Sequence, residues 1–163
     1  MLRIYRTKNE RVHEKLESLL PENSQIKRTE NGKPYTDGIH FSITHTGDTA
    51  LIAISDFPVG IDAEIVRARN FSSVLKRFPG REQLEIGGSE IEFLRHWTVR
   101  EAYIKLIGGT IAHDLKRLEY FGGELFVDGV KEDCNILCFV LNELVYCVCA
   151  QCEIPRNLKI EII

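Results

Sequence analysis

Two stretches of this sequence carry charged side chains at spacings that suggest chemistry. The first is "VGIDAEIV", residues Val59 to Val66. An extended strand alternates its side chains, so Val59, Ile61, Ala63 and Ile65 face one way. Asp62 and Glu64 then face the other way together, where their charges repel. The second is "FLRHWTVREAYIKLIGG". Leu94, Trp97, Glu101 and Ile104 recur at helical spacing, which sets Glu101 in the middle of an apolar stripe. A buried carboxylate needs a partner or a metal, and Lys105, one turn on, offers a partner.

Each stretch also has a plainer explanation. Glu101 and Lys105 match a surface i,i+4 pair, worth about 0.3–0.5 kcal/mol. Asp62 and Glu64 match the solvent face of an edge strand. Taken together, however, the three acids make an oxygen-rich site suited to Mg²⁺, or to Mn²⁺, with places left for water and phosphate. A divalent cation would relieve the repulsion and draw an anionic substrate to a site that otherwise repels it.

Other residues are weaker candidates. His45 lies near a Gly-Asp turn in "ITHTGD", with Ser42 and Asp48 nearby. No nucleophile elbow surrounds them, so a hydrolytic triad is disfavoured. Beside a metal–phosphate site His45 becomes a candidate phosphate contact, as does Lys33 in the rigid turn "NGKPY". No Walker loop or GxGxxG occurs, so the common nucleotide cradles are absent. Cys134, Cys138, Cys147, Cys149 and Cys152 crowd the last third without CxxC spacing. They read as reduced thiols packed as small hydrophobes rather than as zinc ligands.

The elements that must hold these residues follow from pattern and punctuation. "MLRIYR" predicts a strand, and a helix follows over about residues 10–20, stopped by Pro21. "KRTENGKPYTDG" is a loop. "IHFSITHT" and "ALIAIS" form a hairpin, and the Asp62 strand follows Pro58. Short helices are expected in "FSSVLKRF" and after Pro79-Gly80. A long helix runs from Ser89, as its N-cap, to Leu106 or Ile107, and Gly108-Gly109 ends it. The remainder is mostly strand: "RLEYF", "ELFVDG", "NILCFVL", "LVYCVCAQ" and "LKIEII".

With 163 residues, 44% hydrophobic and 28% charged, the chain has the balance of a globular protein. A net charge of -3 argues against a general nucleic-acid binder. No signal-like or membrane-spanning stretch is present, so a cytoplasmic protein is expected. One internal echo stands out. "FSITHTGDTALIAIS", Pro58 and "VGIDAEIV" run strand, turn, strand, proline, strand. "ILCFVLNELVYCVCAQ", Pro155 and "LKIEII" repeat that order. The echo suggests two related lobes about a pseudo-twofold axis, with a cleft between them.

In order along the chain, "GKPY", "FSITHTGD", "VGIDAEIV" and "WTVREAYIKLIGG" resemble the 4'-phosphopantetheinyl transferases. The similarity reaches from about Gly32 to Gly109. It is closest to the two-lobed, monomeric type that activates peptide synthetase carrier domains, since a complete strand pair precedes the Asp62 motif. The resemblance implies an α+β fold of two similar lobes, each an antiparallel sheet packed with a long helix. A single domain would span 1–163, with lobes of about 1–66 and 67–163.

It also implies an activity: Mg²⁺-dependent transfer of phosphopantetheine from coenzyme A to a serine of an acyl or peptidyl carrier protein. By motif, Asp62, Glu64 and Glu101 would hold the metal, and Glu101 would deprotonate the serine. Lys105 would neutralise charge on the phosphates, while His45, Lys33 and Thr44 would hold the nucleotide end of coenzyme A. Arg100 stands where the family usually has lysine. It keeps the charge and the phosphate contacts but cannot give up a proton, so Arg100→Lys is expected to be tolerated. A metal-dependent phosphodiesterase or nuclease is the rival enzyme class, and a non-catalytic carrier-binding module the rival binding class.

Overall fold

The computed structural model of the chain describes residues 1–67 and 70–163. It begins with β1 (Leu2–Lys8), a 3-10 turn at Asn9–Arg11 and α1 (Val12–Leu19). Short β2 (Lys27–Arg28) and β3 (Pro34–Tyr35) pair with each other, and the hairpin β4 (His40–Thr46) and β5 (Thr49–Ser55) follows. Next come β6 (Val59–Ile65), α2 (Ser72–Leu75), α3 (Gly80–Ile86) and α4 (Glu90–Ile107). After α5 (Ile111–Asp114), strands β7 (Leu118–Phe121), β8 (Glu124–Val127) and β9 (Val130–Lys131) form a meander. The chain ends with β10 (Asn135–Leu141), β11 (Leu144–Ala150) and β12 (Ile160–Ile162). This is the α+β class expected.

Four layers stack around the site. Val12 and Leu16 of α1 pack on Tyr5, Ala50 and Ile52, the outer face of a sheet ordered β12-β1-β5-β4. The inner face of that sheet, with Ile4, Leu51 and Ala53, meets Ile61, Ala63 and Val148 of a second sheet ordered β10-β11-β6. The far face of the second sheet carries Cys147 and Cys149 against Val99 and Ala102 of α4. β5 is therefore buried on both faces, which accounts for the unbroken apolar run "ALIAIS".

The echoed segments end differently from their hairpins. β6 leaves the β4–β5 hairpin and pairs along its whole length with β11. β12 leaves the β10–β11 hairpin and pairs in parallel with β1. Each half thus sends its third strand to the other sheet. β6, which follows the β4–β5 hairpin in sequence, belongs by hydrogen bonding to the sheet of β10 and β11.

An edge strand presents unpaired backbone groups, and burying them is costly. β6 has β11 on one side only. On the other side, Ser42, Thr44 and Thr46 aim their hydroxyls from β4 across the layer gap. They accept the backbone N–H groups of Ile61, Ala63 and Ile65 at 3.1, 3.3 and 3.1 Å. A period of two along "SITHT" matches the period of two in the N–H groups that β6 turns away from β11. Thr44→Val keeps the side-chain shape but leaves the Ala63 N–H without its acceptor. We expect a loss of about 2 kcal/mol in urea unfolding with an unchanged m-value; an unshifted midpoint would contradict the seam.

Ser89 caps α4 as expected, its hydroxyl accepting the Glu92 N–H at 3.3 Å. Gly108 ends it with φ 69°, a left-handed conformation that favours glycine. The single apolar stripe understates how far α4 is enclosed. Sheet, α3 and β7 surround it, so His96, Thr98 and Arg100 are buried as well as Leu94 and Ile104.

The reduced-thiol expectation needs one correction. Cys138 and Cys147 sit directly opposite each other across the β10–β11 pair and form a disulfide, their Cα atoms 4.1 Å apart. Cys134, Cys149 and Cys152 are free. The hairpin register brings the pair together, and no spacing rule for metal motifs reports on that.

Candidate active site

β6 and α4 set the acids face to face. Gly60 makes this possible: a Cβ there would lie 1.9 Å from the Ala102 carbonyl oxygen and 2.6 Å from the Leu106 nitrogen. Helix and strand backbones therefore meet directly, and the residues flanking that contact, Asp62 on β6 and Glu101 and Lys105 on α4, are held at close range. The glycine of "VGIDAEIV" is a packing requirement.

Lys105 bonds to the strand rather than to its helical neighbour. Its Nζ donates to Asp62 Oδ1 at 2.7 Å and to the Ile61 carbonyl at 3.2 Å. The i,i+4 pairing with Glu101 considered from sequence is replaced by this tertiary ion pair. Thr44 donates its hydroxyl proton to the same Asp62 oxygen at 2.9 Å. Thr44 is thus committed to the seam and to Asp62, away from the nucleotide-contact role expected of it.

Burial pushes the Asp62 carboxyl up, and the bonds from Lys105 and Thr44 only partly offset it. Glu101 is 8% exposed. Burial first, then the charge of Asp62 and, more weakly, Glu64, push its carboxyl up to about 7, against the pull of Lys105. Asp62 and Glu64 thus both raise the carboxyl of Glu101, and Glu64 adds to the rise at Asp62. Among the described residues, no group of three His, Cys, Asp or Glu side chains closes into a ready metal cage. The carboxylate oxygens of Asp62, Glu64 and Glu101 are nonetheless of the kind Mg²⁺ takes, and Lys105, which bonds Asp62, lines an open cavity beside them.

That cavity measures about 390 Å³. Lys105 forms part of its wall, together with His13, Arg28, Lys33, His45 and the turn at Gly108-Gly109. Its described lining contains basic groups and no Asp or Glu, so it suits an anion. His45 Nδ1 meets Asn9 Oδ1 at 2.9 Å. Burial, then the charges of Lys105 and His13, hold its imidazole below the ordinary histidine value. Lys33 lies at the rim with its Nζ donating to the Leu106 carbonyl at 3.1 Å, which also caps the negative end of α4. Asn31 makes a similar bond to the Gly108 carbonyl at 3.0 Å. The loop from β2 to β3 is thereby fastened to the end of α4.

His13 and Arg28 were not singled out by sequence. Asn9 and His13 are four residues apart at the start of α1, and both turn toward His45; that spacing was a usable signal. Arg28, in the "KR" of the loop, offered only its charge. The hydrolytic triad is excluded by alternation. Ser42 faces inward to β6, whereas His45 faces outward toward α1.

Arg100 requires the clearest correction. It is 1% exposed and bonds Glu82 of α3 rather than lining the cavity. The helix turns about 100° between Arg100 and Glu101, so the two adjacent residues serve different layers.

A mixed fold thus sets clustered acids beside a cavity whose described lining is basic. The sequence model described as 4'-phosphopantetheinyl transferase superfamily matches residues 58–124, which span β6, α4 and the first part of the β7–β9 meander. This segment is what the chain shares with that superfamily.

Curated relatives agree. The 4'-phosphopantetheinyl transferase gsp of Aneurinibacillus migulanus is 37% identical over 93 residues, covering 53% of this chain and 39% of that protein. The 4'-phosphopantetheinyl transferase psf-1 of Bacillus pumilus is 34% identical over 119 residues, covering 68% and 50%. The L-aminoadipate-semialdehyde dehydrogenase-phosphopantetheinyl transferase of Homo sapiens is 31% identical over 145 residues, covering 66% and 46%. The chain spans half or less of the length of each of these relatives.

Proposed function

We propose that this chain transfers the 4'-phosphopantetheine group of coenzyme A to a serine hydroxyl of an acyl or peptidyl carrier protein. One observation carries the reading: Lys105 lies both in the wall of a basic, acid-free cavity and in an ion pair with Asp62 of the acid cluster. A ligand with phosphates along its length spans such a pair of sites. The family match and the printed names of the relatives support the same chemistry.

In the proposed reaction the serine oxygen bonds to the β-phosphorus of coenzyme A, the one that carries the pantetheine. The bond from that phosphorus to the bridging oxygen breaks, and adenosine 3',5'-bisphosphate leaves. Glu101, poised near neutrality, takes the serine proton directly or through a water. Asp62, Glu64 and Glu101 would hold Mg²⁺, which supplies charge neutralisation at the pyrophosphate. Lys105 faces the same phosphates as a fixed cation. His45, with His13, Arg28 and the rim residue Lys33, receives the nucleotide end.

The exchange of β6 and β12 between the two sheets supports the further reading of one two-lobed, pseudo-symmetric domain over 1–163, acting as a monomer. No helix among the described residues is long and apolar enough to cross a membrane.

Calorimetric titration with coenzyme A tests the binding half of this proposal. Binding should strengthen with Mg²⁺, and Arg28→Ala should weaken it about tenfold through loss of a charge-assisted contact. Affinity indifferent to Mg²⁺ would contradict the reading, and the phosphodiesterase alternative does not predict Mg²⁺-dependent coenzyme A binding.

A further inference from the structure

The face of α4 turned away from Asp62 carries a second charged cluster that the proposed chemistry does not use. Glu82 is 0% exposed and Arg100 1% exposed. Arg100 Nη1 donates to Glu82 Oε2 at 2.7 Å, Nη2 bonds the other carboxylate oxygen, and Nη2 also donates to the Leu118 carbonyl at 3.1 Å. The guanidinium carbon lies 4.0 Å from the centre of the Phe78 ring. Glu82 also meets His96 Nδ1 at 2.8 Å and accepts the Tyr120 N–H at 2.8 Å. A single carboxylate thus ties α3, α4 and β7 together.

Stability alone is a poor reason for this cluster. Two charges taken out of water lose hydration that their attraction only partly restores, and apolar groups of similar volume often serve as well. What the pair adds is direction. A two-pronged guanidinium–carboxylate contact fixes both distance and rotation, whereas apolar surfaces tolerate small slips. On its other side α4 rests on Gly60 through Ala102, a backbone contact, and Lys105 near its C-terminal end bonds Asp62 and the Ile61 carbonyl. Glu101 is the next residue after Arg100, and Lys105 follows five residues on. A displacement of about 1 Å at reacting groups costs on the order of a hundredfold in rate.

We infer that the Glu82–Arg100 pair is a positioning device that sets the rotation of α4, and so the approach of Glu101 and Lys105 to Asp62. The inference rests on the transferase reading above. It also explains why arginine stands here. A lysine ammonium offers no fork for both Glu82 oxygens and no flat face for Phe78.

The test compares wild type, Glu82→Leu/Arg100→Met and Arg100→Lys by thermal melting and by kcat and KM for coenzyme A in carrier modification. The double variant removes both charges at similar volume and leaves the Tyr120 N–H without its acceptor, so it should stay folded with a melting temperature lower by several degrees. Measured well below that temperature, its kcat should fall about 10- to 100-fold, with KM for coenzyme A changed less than about threefold, because among the described lining residues Lys105 alone lies on α4. Arg100→Lys should remain folded and lose at least about tenfold in kcat. A folded double variant with wild-type kcat would overturn the inference, since a purely structural pair predicts that activity follows stability. Should the double variant fail to fold, Arg100→Lys carries the test by itself, and wild-type kcat there would overturn the inference too. Absence of transfer by the wild-type protein would instead defeat the transferase reading, and this inference with it.

Discussion

Asp62→Asn should be at least as stable as the wild-type protein and close to inactive. The two halves of that result have one cause. Burial raises the Asp62 carboxyl above its ordinary value, so in the fold the charged form is held at a cost that an amide avoids. Asparagine keeps the shape and an acceptor for the Thr44 hydroxyl. Lys105 loses its partner, but its side chain is 30% exposed and water reaches it. The melting temperature should therefore hold or rise. Activity should fall about a thousandfold, the scale expected when charge stabilisation of a transferring phosphoryl group is removed. A variant that is active would remove Asp62 from the site. One that is unfolded would make the acid a structural residue.

Gly60→Ala should be the most damaging single-methyl change in the chain. The added carbon would meet the Ala102 carbonyl oxygen at 1.9 Å and the Leu106 nitrogen at 2.6 Å. Both are backbone atoms in the C-terminal half of α4, so no side chain can swing aside. Relief requires the helix to move off the strand, which opens the core formed by Val99, Ala102 and Cys149. Overpacking of a dense core costs about 1–3 kcal/mol, and a backbone collision should reach or exceed the top of that range. For a domain of this size that is a fall of about 10 °C or more in melting temperature. Activity should drop further than stability alone predicts, because the same shift parts Glu101 from Asp62. A melting temperature within about 2 °C of wild type would show that α4 and β6 have slack the structure does not display.

Much of this arrangement was legible in the sequence because it is local. Ser89 and Gly108 bound α4 through capping chemistry, which needs only a few neighbouring residues. The alternation of "VGIDAEIV" placed Asp62 and Glu64 on one face, and helical spacing buried Glu101. What stayed hidden depends on partners far along the chain. Lys105 was paired on paper with Glu101, four residues away, because the competing carboxylate of Asp62 arrives only when β6 packs on α4. Arg100 looked like a phosphate ligand because its actual partner, Glu82, sits on a short helix whose placement no periodicity announces. The hydroxyls of Ser42, Thr44 and Thr46 were visible at a period of two, but they acquire meaning only beside the edge of β6 that faces away from β11. The Cys138–Cys147 disulfide follows from the hairpin register once the turn at Asn142 and Glu143 is fixed. The repeated strand order near Pro58 and Pro155 gave no sign that the third strand of each unit crosses to the other sheet.

Intact-mass spectrometry of an apo acyl carrier protein, incubated with this protein, coenzyme A and Mg²⁺, tests the central claim most directly. The carrier should gain the mass of one phosphopantetheine group, and the gain should vanish with Asp62→Asn. A carrier left unchanged by a protein that also fails to bind coenzyme A would contradict the account.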